Sequence, residues 1–162
     1  MKTNDNLMAG FAGESQANRK YTAFAAEAEQ EGHKDIARLF LAAAEAENIH
    51  ATAELKLAGK IGDTKANLKA AIEGETYEYQ TMYPNFEQDA QSEEQKQALR
   101  IFGFAKAAEE VHAKLYQEAL DNIGGDSGAA YYLCPVCGYI EKGGAPDNCP
   151  ICKAKGTSFK KY

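Results

Sequence analysis

Four cysteines and two copies of a glutamate–histidine pair are the residues of this sequence best equipped for chemistry. Cys134, Cys137, Cys149 and Cys152 all fall in the last 29 residues, as two Cys-x-x-Cys pairs with eleven residues between them. Two such knuckles supply four thiolates to a tetrahedral site that suits zinc or a single iron. The spacing points to a metal without choosing it, and taken alone it favours structural zinc. Two disulfides are the lesser alternative, because the opening MKTNDNLMAG lacks the apolar core of a secretion signal.

The second constellation is built from carboxylates. Glu47 and His50 lie in AENIHA, and Glu109 and His112 lie in AEEVHA, 62 residues later. The stretch from Gly13-Glu14 to Tyr21 is similar to that from Gly74-Glu75 to Tyr83, at an initial offset of 61. The chain is thus an approximate duplication with one residue added. Residues three apart in a helix rise only about 4.5 Å and project to the same side, so each Glu-x-x-His offers an oxygen and a nitrogen together. A single such motif in an alanine-rich helix is usually a solvated face. Two copies in register, both on apolar stripes, are a different matter. Carboxylates facing one core cost several kcal/mol apiece through desolvation and repel one another; bound cations remove both penalties. Two halves around one centre give the geometry of a dinuclear site, with one glutamate from each of two helices and Glu-x-x-His from the other two.

The repeat has one flaw. Ala17 stands where Glu78 stands in the second half, so seven candidate ligands surround a centre that six would serve: Glu14, Glu47, His50, Glu75, Glu78, Glu109 and His112. A spare ligand suggests a metal that changes position with oxidation state. The plain alternative is a glutamate that never touches metal.

Four helices must position these groups. Residues 1–123 are rich in Ala, Glu, Lys, Gln and Leu and contain one proline. The pattern predicts helices from Asn4 to Glu31, from Asp35 to Ala58, from Thr64 through a kink or early end at Pro84, and from Ser92 to the Gly124-Gly125 pair. Ser92 and Gln95 form a predicted capping box. Each helix carries an apolar stripe, including Leu7, Phe11, Phe40, Ile72, Phe102 and Tyr116, which the glutamates interrupt. Residues 124–130 read as a linker and 131–162 as a small metal module. A net charge of -6 without a basic stripe argues against nucleic acid and anionic membrane, and no apolar run approaches a membrane span. The cytoplasm is the expected location.

Read whole, the chain resembles the rubrerythrin family on FAGESQA, AENIHA, GETYEY followed by TMYP, AEEVHA, CPVCGY and CPIC. The resemblance implies an all-α, ferritin-like four-helix bundle followed by a small rubredoxin-like β/loop domain. It implies a di-iron centre, two irons per chain, with Glu14, Glu47, Glu75, Glu78, Glu109 and His112 as ligands of the oxidised state and Glu47 and Glu109 bridging. His50 corresponds to the ligand that one iron adopts on reduction, leaving Glu78. Tyr21 and Tyr83 correspond to tyrosines hydrogen-bonded to ligand carboxylates, and the four cysteines to a single-iron site. The implied activity is peroxidase: hydrogen peroxide is reduced to water with electrons from NAD(P)H through a separate reductase, often by way of rubredoxin.

Two other readings compete: a ferroxidase and iron-storage protein, and a non-enzymatic metal-binding module with a zinc-ribbon tail. The expected assembly is a head-to-tail homodimer. His112 lies about ten residues before the end of its helix, roughly 15 Å, and the linker is expected to lead further away. The tail of one chain would then serve the bundle of the other.

Overall fold

Alanine-rich stretches free of internal proline form the long helices that their composition predicts. The structure, a computed structural model, describes residues 1–125 and 128–162. These fall into two compact units, residues 1–62 and 63–162.

The first unit is a helical hairpin of α1 (Lys2–Gln30) and α2 (Lys34–Leu57). Gly32 makes the turn at φ +85°, and the His33 N–H closes it on the Ala28 carbonyl at 2.8 Å. The buried residues are all alanines, Ala25 and Ala28 on α1 and Ala37, Ala44 and Ala51 on α2. Small side chains on the seam let the backbones approach closely enough for the Asn18 amide to donate to the Ala44 carbonyl at 2.6 Å. Both helices end within two residues of their predicted limits.

In the second unit α3 (Thr64–Tyr77) starts where predicted, and the Asp63 carboxylate caps it by accepting the Ala66 N–H at 2.7 Å. The helix is not interrupted at Pro84. It changes pitch earlier, in a π turn at Glu78–Met82, where the Tyr83 N–H reaches back five residues to the Glu78 carbonyl. Helix α4 (Tyr83–Ser92) follows with Pro84 in its first turn, where a missing N–H costs little. The repeat supplies the reason. Its offset is 61 at Glu14/Glu75 and 62 at Tyr21/Tyr83, so the added residue lies between 75 and 83, and a π turn is how a helix absorbs one.

The predicted capping box does not form. Ser92 is the last residue of α4, and its hydroxyl donates to the Asp89 carbonyl. Glu94 adopts φ +57°, which breaks the helix, and α5 (Lys96–Asp121) begins after Gln95 with no side-chain cap. The duplication extends to aromatic packing that the periodicity left unpaired. Tyr21, Phe24 and Phe40 have ring centroids 5.6–6.3 Å apart, and Tyr83, Phe86 and Phe102, each 62 residues on, lie 5.5–6.2 Å apart.

Two linker residues, Asp126 and Ser127, lie outside the described residues. The tail is a three-stranded antiparallel sheet of β1 (Tyr131–Leu133), β2 (Ile140–Lys142) and β3 (Lys160–Lys161), with β1 in the middle. The sequence-based expectation that the linker leads the tail away from its own helix is not met. Lys142 of β2 pairs with Glu118 of α5, and Gly138 sits close enough to Ala108 that a β-carbon there would touch it at 3.9 Å. No described helix is long and apolar enough to cross a membrane.

Candidate metal centres

The cysteine site is assembled by two similar turns. Cys134-Pro135-Val136-Cys137 is closed by the Gly138 N–H on the Cys134 carbonyl at 3.1 Å, and Cys149-Pro150-Ile151-Cys152 by the Lys153 N–H on Cys149 at 3.0 Å. Each needs a left-handed residue after its second cysteine, Gly138 at φ +81° and Lys153 at φ +65°. The four sulfurs converge, with Cys134 Sγ 3.5 Å from Cys152 Sγ and Cys137 Sγ 3.5 Å from Cys149 Sγ. A disulfide needs about 2.05 Å. All four are free thiols, so the disulfide alternative fails, and tetrahedral metal–sulfur bonds of about 2.3 Å imply edges close to those observed. Burial pushes the Cys134 thiol up, but the N–H groups of Val136 and Cys137 aimed at its sulfur outweigh that and bring it below the usual thiol range. These donors suit a metal-bound thiolate.

The carboxylates and histidines form one group of three in each unit. Glu14, Glu47 and His50 place ligand atoms within 4.8 Å of one another, and so do Glu75, Glu109 and His112. In the first group His50 Nδ1 lies 3.2 Å from Glu47 and 3.9 Å from Glu14. In the second His112 Nδ1 lies 2.6 Å from Glu109 and 3.9 Å from Glu75. Each helix pair therefore delivers one Glu and one Glu-x-x-His, as the repeat predicts. Glu78 stands outside the tight group, on the π turn. Tyr21 and Tyr83 belong to the aromatic trios, and among the described residues neither hydroxyl bonds a ligand carboxylate.

Protonation shows what each group lacks. Glu14 and Glu47 share a hydrogen bond that raises Glu14 and lowers Glu47. Burial, then the hydrogen bond and charge of Glu109, push Glu75 up to about 7. Burial and the Glu109 charge raise Glu78. Glu109 is held low, chiefly by its hydrogen bond with His112. Burial acts to lower His112, but bonds to Glu109 and to the Gly138 carbonyl outweigh it and raise the group. Protons thus sit where repelling carboxylates converge, and a cation there replaces them. The donor set, carboxylate oxygen with imidazole nitrogen, fits iron.

The raised groups have a measurable consequence in metal-free protein. Glu14, Glu75, Glu78 and His112 hold more protons folded than unfolded, so stability falls as pH rises above about 4.5 and through 7. Glu47 and Glu109 act oppositely, but their contribution is complete by about pH 5. The expected melting temperature of metal-free protein therefore drops by several degrees across that range. Glu75→Gln, which mimics the protonated acid, should flatten the drop. A wild-type profile already flat in calorimetry contradicts this.

Two features escaped the sequence reading. His112 Nε2 donates to the Gly138 carbonyl at 2.8 Å, which joins the carboxylate group to a cysteine knuckle in the same unit. That bond also orients the ring, with Nδ1 toward Glu109 and Glu75. The second is Glu54, one turn beyond His50. Its Oε2 is buried without a hydrogen-bond partner, and its carboxylate occupies the space that a β-carbon on Gly10 would fill. A glycine inside a helix opposite a glutamate four residues past a ligand was the available signal.

A helical protein with paired Glu-x-x-His carboxylate groups and a four-thiolate β module belongs to the ferritin-like di-iron class. The family model described as rubrerythrin matches residues 5–120, and that of the rubrerythrin rubredoxin-like domain matches residues 132–160. Nigerythrin of Nitratidesulfovibrio vulgaris is 41% identical, over 99% of this chain and 86% of its own. Rubrerythrin-2 of Clostridium acetobutylicum is 36% identical over 99% and 96%. The solved structure of partially reduced nigerythrin, at 40% identity, covers 99% of this chain and 86% of its own with a TM-score of 0.63. This chain belongs to the rubrerythrin family. Its members carry a di-iron centre and a rubredoxin-like iron site, and they are oxidoreductases of oxidative-stress defence.

Proposed function

We propose that this protein is a cytoplasmic peroxidase that reduces hydrogen peroxide to water at its carboxylate centre. Electrons reach that centre through the four-cysteine site. The external donor is rubredoxin or an NAD(P)H-dependent reductase, since the sequence has no GxGxxG fingerprint for a nicotinamide or flavin. The observation that carries this reading is the hydrogen bond from His112 to the carbonyl of Gly138, the residue after Cys137. An iron-storage protein has no use for a thiolate site wired to a metal ligand.

In this reading Glu14, Glu47, His50, Glu75, Glu78, Glu109 and His112 would hold the two metals, Glu47 and Glu109 being the residues the resemblance assigns to both. The chemistry a bound iron pair supplies is one electron from each metal to the O–O bond, so that H2O2, two electrons and two protons become two waters. The residues do the rest. His112 is fixed through Nε2 and presents Nδ1. In the metal-free centre Glu75, pushed up to about 7 by burial and then by its hydrogen bond with Glu109, takes up and releases a proton near neutrality, and Glu78 is raised by burial and the Glu109 charge. Glu78 stands on the π turn, outside the tight group, and His50, more exposed than His112, would be the ligand that takes its place on reduction. Tyr21 shares α1 with Glu14 and Tyr83 directly follows the π turn of Glu78; their hydroxyls, which among the described residues bond no ligand carboxylate in the metal-free centre, would do so once the metals are held.

The test is anaerobic turnover. Reduced protein mixed with peroxide should consume one equivalent per iron pair and yield water without oxygen evolution. Glu78→Ala should retain its iron and lose turnover by roughly 10- to 100-fold. If both proteins fail to consume peroxide while taking up and mineralising ferrous iron, the storage reading replaces this one.

A further inference from the structure

We infer that the cysteine module has a fixed polarity: electrons enter at its second knuckle, from an acidic donor protein docked on Lys153, Lys155, Lys160 and Lys161, and leave at its first. This polarity presupposes the relay proposed above and adds the side of entry and the kind of donor.

The two knuckles are built alike but face different surroundings. In each the first cysteine is buried and the second, Cys137 or Cys152, is partly exposed. In each the residue after the second cysteine is left-handed. At the first knuckle that residue is Gly138, which lies against Ala108 and whose carbonyl accepts from His112. At the second it is Lys153. The left-handed region favours glycine, and a long side chain there is uncommon. A residue kept against its backbone preference points to a role for its side chain. The Lys153 ammonium donates to the Pro150 carbonyl at 2.9 Å, which holds a positive charge within the turn of the knuckle itself.

Sheet order separates the two sides. Strands β2 and β3 are opposite edges, with β1 between them. The β2 edge is turned to α5, where Lys142 pairs with Glu118. The β3 edge, two strand spacings or roughly 10 Å away, carries Lys160 and Lys161. Residues 148–162 hold four lysines and no aspartate or glutamate, in a chain whose net charge is -6. All four lysines are exposed, and among the described residues none is ion-paired with a carboxylate. Such a patch attracts an opposite charge and speeds its encounter. An anionic lipid surface would meet the same charges, but only a redox protein also brings an electron to Cys152, next to Lys153. The step moves one electron from the donor to the metal held by the four cysteines; no bond forms or breaks.

The test uses the full-length, metal-loaded protein with an acidic rubredoxin as probe, and no peroxide. Calorimetric titration of oxidised protein with oxidised probe gives Kd, and stopped-flow absorbance follows reduction of the cysteine site by reduced probe. Both should weaken steeply with added salt. Lys160→Glu with Lys161→Glu should raise Kd and slow reduction by about 10-fold or more. Lys20→Glu with Lys34→Glu makes the same charge change at exposed helical positions and should shift either by less than about 2-fold. Lys153→Gly suits the left-handed backbone, so it should melt no lower than wild type, yet bind the probe about 3-fold more weakly. Equal losses in the two double variants overturn the inference, as do binding and reduction insensitive to salt. Lys153→Gly that binds like wild type removes the second knuckle as the point of entry. Wild type that ignores the probe and binds phosphatidylserine vesicles through these lysines replaces the donor by a membrane. None of these readouts involves peroxide, so a failed peroxidase assay leaves the polarity standing.

Discussion

Cys149→Ser should cut donor-driven peroxide turnover by on the order of 100-fold or more, while chemically reduced protein still consumes its single equivalent. Cys149 is fully buried at the sulfur cluster, and its N–H is already tied to the Ala154 carbonyl at 2.7 Å. Serine keeps that turn and removes one soft ligand. Without the relay, delivery of electrons becomes a bimolecular encounter with the carboxylate centre, which forfeits the effective concentration of a tethered site. Stopped-flow absorbance separates the two steps. Loss of the single turnover as well would mean that the tail shapes the peroxide site itself, for which His112–Gly138 is the obvious route. Turnover close to wild type would remove the relay from the mechanism.

Glu109→Ala should empty the carboxylate centre while leaving the cysteine site filled. Glu109 is within 2.6 Å of His112 and governs the protonation of Glu75, so it is the hub of its group. Removing it takes away a proposed metal ligand, and peroxide consumption should fall to background. Stability should respond in the opposite sense to an ordinary core truncation. Metal-free Glu109→Ala is relieved of a repelling charge beside Glu75 and Glu78, so its fall in stability above about pH 5 should be shallower than that of wild type. Iron should raise the melting temperature of wild type and leave the variant unmoved. Equal iron uptake by both, measured by metal analysis, would take Glu109 out of the ligand set.

Much of this was legible in the residues. Helix limits, the Glu-x-x-His copies and the cysteine knuckles are local patterns. Periodicity encodes which side chains share a helix face, and a two-residue gap between cysteines encodes a turn. The Ser92–Gln95 box failed because the same local code was ambiguous there, and a left-handed Glu94 decided it. The position of the added residue was implicit in the change of offset between Glu75 and Tyr83, but only the backbone showed that a π turn takes it up beneath Glu78.

By itself, then, the sequence determined the candidate ligand types, the two Glu-x-x-His pairs and the two Cys-x-x-Cys knuckles, because each depends on neighbours no more than a few residues apart. Tertiary structure decided what those sites touch. The return of the tail onto α5 joins His112 to Gly138, 26 residues away, through a carbonyl that no side-chain pattern announces. Similarly, the burial of Glu54 against Gly10 brings together residues of two helices that only packing aligns. Such contacts are set by where the linker and the helix seams place backbone atoms, and backbone carbonyls carry no signature in the alphabet of side chains.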